Sequence, residues 1–496
     1  MLATSNLIAL QVVLPLISAP ICALLGSRGR YAWALALGVS AATFAISIIL
    51  FFHTQSIDIT TYQMGGWAPP MGIEYVLNPL NGLILMLVSG IAFISLIYAK
   101  ASVAKEIINE KQAQFYTAFL LCLAGLLGIL LTNDAFNTYV FLEISSLATY
   151  ALIAMGKDRR ALVASFEYLI LGSIGATFIL IAIGLLYMMT GTLNISEYYA
   201  FIANSNELDN SAPILAALAF FTIGILLKMG VFPLHLWLAN GYTSAPSFVS
   251  VFLSATATKV MAYVLIRIIF QLFGVEFSFT DMPLEHILLV FALMGIVVGS
   301  LVAVFQQNSK RLLAYSSVAQ IGYILLAIGL STHAGTMAAI LQIFSHALAK
   351  AALFMALGCI FYRVGGVTIT DIRGIAKYMP WTLSAFALAG LSLIGIPGTA
   401  GFITKWYLIM ALIEKELWWI IGVVLISSLL AIVYIWKIIE AAYFQDSYHR
   451  DIKEAPFSML LGLWIMVALS YVFGVYTDWT IGTASNVATI LGGGNL

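Results

Sequence analysis

Long apolar runs dominate this chain. A helix needs about 20 mostly apolar residues to cross the hydrocarbon core of a bilayer. Cutting the sequence at charged or Gly/Pro/Asn-rich breaks leaves fourteen such runs: 7–26, 31–52, 76–99, 114–131, 135–155, 163–189, 212–239, 245–273, 286–306, 312–332, 335–362, 381–411, 417–443 and 456–477. Hydrophobic residues make up 62% of the chain and charged residues 9%, whereas soluble domains carry about 45–50% and about 25%. Such a chain cannot clothe a water-soluble surface, which excludes disordered, nucleic-acid-binding and ordinary cytosolic classes. The expected fold is an all-α integral membrane protein in contact with the lipid bilayer. Cys22, Cys122 and Cys359 lie in apolar runs with no CxxC pairing, against a disulfide framework, a structural zinc or an iron–sulfur cluster. No metal site or cofactor is expected. The first run has no charged leader and no small-residue cleavage site, so it is expected to be retained as a helix.

Lys and Arg orient the runs, because cytoplasmic loops retain positive charge. With the N-terminus outside, the inside loops hold Arg28, Arg30, Lys100, Lys105, Lys111, Lys157, Arg159, Arg160, Lys310, Arg311, Arg363, Arg373, Lys377, Arg450 and Lys453. The outside loops hold Lys415 alone, while Asp58, Glu197, Glu207, Asp209, Glu276, Asp281 and Glu285 gather there. A missed or surplus span would scramble this alternation. The expected topology is fourteen spans in a prokaryotic cell (inner) membrane with both termini on the outer side.

Two stretches echo one another. Gly191-Thr-Leu-Asn-Ile-Ser-Glu197 parallels Gly365-Gly-Val-Thr-Ile-Thr-Asp371, and Tyr150-Ala-Leu-Ile-Ala-Met-Gly156 parallels Tyr323-Ile-Leu-Leu-Ala-Ile-Gly329. Spans 4–8 therefore repeat as spans 9–13. Five helices is an odd number, so the second unit is inverted relative to the first, a pattern of transporters with ion sites near the midplane on interrupted helices. The expected divisions are 1–112 (spans 1–3), 113–284 (first repeat), 285–444 (second repeat) and 445–496 (span 14 and tail).

An ionised group at a helix centre costs about 2.5–3.5 kcal/mol on insertion scales, yet Glu143, Glu167, Lys228, Lys259, Arg267, Lys350, Lys405, Lys437 and Glu440 fall at membrane depth, with His235 and His346. Arg267, Lys437 and Glu440 lie toward span ends, where snorkelling anchors are expected, and Glu167 reads as an interfacial acid. Glu143 sits mid-span. Lys228 precedes Gly230 and Pro233, and Lys405 follows Gly395 and Pro397, residues that break helices 7 and 12. The two lysines are read as comparable positions in the two repeats. Lys259 follows a Ser/Thr stripe, and His346 and Lys350 share a helix face at a spacing of four. His235, just after a Pro break, equally suits a cap on exposed backbone. Ser316, Ser317, Gln320, Thr256, Thr258 and Thr404 either glue helices together or line a hydrated path.

Four segments now carry a family resemblance: Lys-Met-Gly-Val-Phe-Pro-Leu-His-Leu-Trp-Leu at 228–238, Ala-Pro-Ser at 245–247, Lys-Arg-Leu-Leu-Ala-Tyr-Ser-Ser at 310–317 and His-Ala-Leu-Ala-Lys-Ala-Ala-Leu-Phe at 346–354. The chain resembles the antiporter-like membrane subunits of respiratory complex I, membrane-bound hydrogenases and Mrp-type cation/proton antiporters. The resemblance implies a proton-transfer axis of Glu143, Lys228, Lys259, His346 and Lys405, with Lys350 and His235 secondary. It implies other membrane subunits as partners and protons and monovalent cations such as sodium as cargo, with no nucleic acid. Lys405 stands where the M-type complex I pump has Glu, the His–Lys pair of span 11 differs from the shortest complex I pump, and no long lateral helix follows span 14. What remains resembles the D-type member of the Mrp antiporters, with Leu238-Ala-Asn-Gly-Tyr242 departing from the family pattern. The implied function is proton translocation in a multisubunit sodium/proton antiporter, without a catalytic or redox centre of its own. The alternatives are a pump subunit (a translocase component) of an NADH-quinone oxidoreductase or membrane-bound hydrogenase, and a scaffold whose buried charges are structural.

Overall fold

A computed structural model describes residues 2–55, 59–204, 211–447 and 452–492; Asp58, Glu207, Asp209 and Arg450 lie outside the described residues. The helices are α1 (Leu2–Leu24), α2 (Gly29–Thr54), α3 (Pro79–Glu106), α4 (Asn109–Leu131), α5 (Ala135–Ala154), α6 (Arg160–Thr190), α7 (Ile195–Asn204), α8 (Ala212–Met229), α9 (Leu236–Ser244), α10 (Ser247–Ala255), α11 (Ala257–Arg267), α12 (Leu284–Phe305), α13 (Ser309–Gly329), α14 (His333–Val364), α15 (Ile369–Ile372), α16 (Pro380–Ile394), α17 (Ala400–Glu414), α18 (Trp418–Phe444), α19 (Phe457–Val475) and α20 (Asp478–Gly492).

Among the described residues, twelve helical stretches are long and apolar enough to cross a bilayer, and each coincides with one of the fourteen expected spans. The other two differ for physical reasons. Helix α5 has 20 residues but carries Asn137, Glu143, Ser145, Ser146 and Thr149, and the expected span 381–411 is split into α16 and α17 of 15 residues each. The central helices are α13 and α14, buried over their whole apolar windows, with α10–α11 close behind at 94%, whereas α1, α2, α6, α12, α18 and α19 turn most of theirs outward. Helix α14 packs against α3, α10, α13, α16, α17, α19 and α20. Polar groups on α14 therefore have protein, and not lipid, on every side.

The expected repeat has counterparts in backbone detail. Asp134 caps α5 by accepting the Asn137 N–H at 2.6 Å, and Asn308 caps α13 by accepting the Arg311 N–H at 3.2 Å. Each cap residue forms a bridge across the unit, Asp134 to Asn194 and Asn308 to Thr368. The neighbouring hydrogen bonds recur too, Ala135 N–H to the Leu193 carbonyl at 2.8 Å and Ser309 N–H to the Val367 carbonyl at 2.9 Å. All these pairs are 174 residues apart. Burial pushes the Asp134 carboxyl up, opposed by the backbone N–H groups of Asn137 and Phe136.

Both expected breaks are present. Gly230 (φ +77°) and Gly395 (φ +90°) adopt the left-handed conformation that ends a helix. The Gly395 N–H bonds the Leu391 carbonyl at 3.0 Å; Val231 and Ile396 N–H bond the Leu226 and Leu391 carbonyls at 3.0 and 3.2 Å. A third interruption was not expected: α10 and α11 part at Thr256 (φ −120°, ψ −60°), inside expected span 8. Two further features depart from the sequence reading. A hairpin pairs Thr60–Gln63 with Glu74–Leu77, antiparallel, in the loop before α3, and the expected tail after span 14 forms α20.

Candidate functional site

Helices α5 and α8 flank α6 and bring two opposite charges together. The Lys228 ammonium lies 3.3 Å from Glu143 Oε1 and donates to Ser146 Oγ at 2.8 Å. The Lys228 side chain is 2% exposed and that of Glu143 23%. Gly175 lets α6 and α8 approach closely, since a Cβ there would stand 3.1 Å from the Gly224 carbonyl oxygen and 3.2 Å from Leu227 Cδ2. Lys228 occupies the last turn of α8, two residues before Gly230.

Lys259 lies in the first turn of α11, just past the interruption, and is fully buried. Its ammonium donates to the Ser254 carbonyl and to Thr258 Oγ1, the latter at 3.2 Å. On α14, Lys350 donates to the Leu313 carbonyl at 2.7 Å and to Ser316 Oγ. His346 lies one turn away on the same helix. Neither of its ring nitrogens has a hydrogen-bond partner among the described residues. It lines a narrow cavity with Gln320, Gln342, Ser345, Ser392 and Lys405, which has room for about one water between polar walls. Around it Gln342 Nε2 donates to Gln320 Oε1 at 2.6 Å, and Ser345 and Thr404 share a hydroxyl contact at 2.9 Å.

Lys405, on α17, closes the row. Its ammonium donates to the Ile394 carbonyl at 2.5 Å and to Ser428 Oγ at 2.8 Å, and stands 5.5 Å from the centre of the Tyr323 ring. The Ile394 carbonyl is free because the helix stops there, and a helix C-terminus attracts cations.

The structure thus pairs Glu143 with Lys228 and sets His346 and Lys405 on one cavity; among the described residues no hydrogen bond links Lys259 to His346 or to Lys350. Among the described residues no hydrogen bond links Lys228 to Lys259. His235 stands apart in the first break, its ring stacked on Phe232 at 5.2 Å and edge-on to Tyr315 at 5.7 Å.

Three expectations change. The breaks correspond, but the lysines do not: Lys228 ends the helix before its break, whereas Lys405 lies on the helix after its own. By distance from the glycine, the partner of Lys405 is Asn240, which donates to Glu167 Oε2 at 2.7 Å. Arg267 is no snorkelling anchor. It is buried, and its guanidinium donates to the Thr132 carbonyl, to Asn133 Oδ1 and, at 3.2 Å, to Gln271 Oε1. Lys437 holds the end of α12 through the Val304 and Gln306 carbonyls at 3.0 and 2.9 Å, while Glu440 is exposed as expected.

Sequence reasoning missed Lys310, counted as a loop charge. It is 4% exposed, donates to the Ala245 carbonyl at 3.1 Å and lies 5.3 Å from the centre of the Phe361 ring. Ser146, Ser428 and Tyr323, which hold the terminal lysines, were also missed. Ser428 carried a usable signal, being half of a Ser-Ser pair inside an apolar run.

The family model for the membrane region of NADH:quinone oxidoreductase and Mrp antiporter subunits matches residues 132–431. The chain is 40% identical to the NADH-quinone oxidoreductase subunit N of Desulforudis audaxviator over 85% of each protein. It is 28% identical to the D-type member of the Na(+)/H(+) antiporter of Alkalihalophilus pseudofirmus, over 95% of this chain and 94% of that one. The fold matches a chain of the Mrp complex from Dietzia sp. with a TM-score of 0.90 at 24% identity, over 99% and 98% of the two chains.

Proposed function

The chain belongs to the NADH:quinone oxidoreductase/Mrp antiporter membrane family, and from that premise we propose that it is the proton-translocating subunit of a multisubunit sodium (or other monovalent cation)/proton antiporter. Protons move along Glu143, Lys228, Lys259, His346 and Lys405, with Lys350 holding charge beside His346 and His235 lining the first break. Other membrane subunits complete the assembly. The chain lies in a prokaryotic cell membrane with its basic loops inside and both termini outside.

One observation carries the reading. Among the described residues, Lys228 is the one lysine of this row that faces a carboxylate; Lys259, Lys350 and Lys405 are buried against carbonyl and hydroxyl oxygens alone. A scaffold role gains nothing from amines that an apolar side chain would replace at lower cost. A carrier needs sites that tolerate both the charged and the neutral form, and neutral acceptors serve both. Charge at Glu143 holds the Lys228 ammonium. Its release toward Lys259 alters the field felt by His346 and, through the shared cavity, by Lys405.

The test is gradient-driven proton flux in vesicles holding the purified native assembly, with and without sodium, comparing wild type with Lys228→Ala. Sodium-dependent flux that the substitution abolishes, in assembled particles, supports the antiporter. The 40% identity to a protein named NADH-quinone oxidoreductase subunit N favours a second reading, a redox-driven pump with the same axis. Flux that needs an electron donor would select it. A variant that pumps normally refutes both.

A further inference from the structure

An open polar pocket lies on the lysine- and arginine-rich face, where the ends of α3, α6, α9, α13 and α14 meet just before α10 begins; Glu106, Lys157, Arg160, Pro246, Lys310 and Asp371 are among its walls. Glu106 ends α3 and is half-buried, in contact with the pocket. One of its oxygens accepts from Ser102 Oγ and the other from the Ser247 N–H, both at 2.9 Å. Around it are Lys310 from α13, Lys157 and Asp158 from the segment before α6, Arg160 from the start of α6, Asp371 from beyond α14, and Tyr98 two turns back on α3 itself.

Behind Glu106 the hydroxyls continue inward. Ser247, Ser250 and Ser254 are spaced three and four apart, which puts them on one face of α10, and all are buried to 1% exposure or less. Ser247 Oγ has no hydrogen-bond partner among the described residues. A buried hydroxyl is seldom left unpaired; where protein supplies no partner, ordered water does. Ser250 Oγ donates to the Tyr242 carbonyl at 2.8 Å and Ser254 Oγ to the Val251 carbonyl at 3.1 Å, which leaves their lone pairs free to accept. The carbonyl of Ser254 is the acceptor of the Lys259 ammonium. From Ser247 to Ser254 is about 10 Å along the helix.

We propose that Glu106 is the proton-uptake acid of this chain, feeding Lys259 from the pocket over water held along the Ser247–Ser250–Ser254 face of α10. Hydronium in the pocket gives its proton to the Glu106 carboxylate and becomes water. Glu106 passes the proton to the water at Ser247, each bridging oxygen takes one proton and releases one, and the excess proton ends on the neutral Lys259 amine. Lys310, fixed to the Ala245 carbonyl, lines the same pocket as the acid. This assignment rests on the function proposed above.

The experiment measures proton flux by the native assembly in vesicles while the pH on the pocket face is varied and the opposite face is held constant. Glu106→Gln is expected to cut flux about a hundredfold near pH 8 on that face and to approach wild type near pH 6, because a positioned acid is worth about 10²–10⁴-fold where its transfer limits the rate. Ser247→Ala keeps the backbone N–H that bonds Glu106 and removes only the hydroxyl. It is expected to assemble normally and to show the same pH-dependent deficit. If both variants assemble and match wild type at every pH while Lys228→Ala is dead, the uptake assignment falls and the proposed function stands. A deficit that is the same at every pH reduces Glu106 to a helix cap and overturns the assignment. Absence of cation- or donor-driven flux in the wild type overturns both.

Discussion

Neutralising Glu143 in place separates a conducting ion pair from a structural one. At 3.3 Å two unit charges in a medium of effective dielectric about 20 attract by ~5 kcal/mol. The Glu143 side chain is 23% exposed, so water already screens part of that, and the low end of the range for breaking a buried pair applies, ~3 kcal/mol. Glu143→Gln keeps the size and strands the Lys228 ammonium, so it should carry most of this cost. Lys228→Met strands Glu143, which reaches water, and should cost less, ~1 kcal/mol. The double variant strands nothing and should return close to wild-type stability. For a cooperative transition of the whole chain, at about 2 cal/mol/K per residue, 3 kcal/mol is a shift of about 3 °C in the unfolding midpoint. All three variants should lose proton flux. Unfolding of the purified assembly and vesicle flux, measured on the same preparations, test this together. Simple addition of the two single shifts in the double variant would refute the pairing. Flux in a stable double variant would refute the proposed use of these charges.

Three further outcomes follow from the geometry. At Gly395 a Cβ would stand 2.8 Å from Lys405 Cδ, and the backbone is left-handed; Gly395→Ala should cost about 1–2 kcal/mol and displace Lys405, so flux should fall in assembled particles, and full flux would show that Lys405 needs no fixed place. Arg267→Met should remove three donors from the end of the bundle that holds Thr132 and Asn133 and lower the yield of folded assembly, yet leave flux per assembled particle unchanged. Lys437→Met should behave likewise, losing about 1–2 kcal/mol with its two carbonyl contacts; a selective loss of flux in either would return that residue to the axis.

The spans and the two glycine breaks were legible because their signals are local. Twenty apolar residues, or a Gly followed by a Pro, state their consequence without reference to the rest of the chain. Glu143 and Lys228 were legible as charges in the wrong solvent. What was not legible depended on contacts far apart in sequence. Lys310 reads as a loop cation beside Arg311, and only the approach of Ala245 and Phe361 buries it. Arg267 reads as an anchor near a span end until Thr132 and Asn133 fold over it. The interruption at Thr256 has neither Gly nor Pro; the Thr256 hydroxyl bonds the Phe252 carbonyl at 2.7 Å and the Lys259 ammonium takes the carbonyl of Ser254, so side chains and not backbone chemistry open the helix. The hairpin before α3 was hidden for a similar reason: Glu74, at its end, is held by Asn133 and Asn194 at 3.1 and 3.3 Å.

The repeated frame and the unrepeated charges together bear on direction. The backbone devices at 134, 194 and 230 return at 308, 368 and 395, so each half offers the same kind of break. The carbonyls at the two helix ends are held differently. In the first, Trp237 Nε1 donates to the Leu227 carbonyl at 2.9 Å; in the second, the ammonium of Lys405 takes the Ile394 carbonyl. Glu143 likewise has no acidic counterpart, since the residue 174 positions on is Ser317. One end of the proposed axis therefore pairs its lysine with a carboxylate, and the other holds its lysine with neutral oxygens. A change of charge at Lys228 breaks an ion pair, whereas a change at Lys405 breaks only hydrogen bonds that a neutral amine could re-form. Two halves alike in charge as well as in backbone would give two equivalent paths with no preferred sense. On the proposed axis, it is the unequal ends on a repeated frame that would let an event at Glu143 be answered by proton release at Lys405.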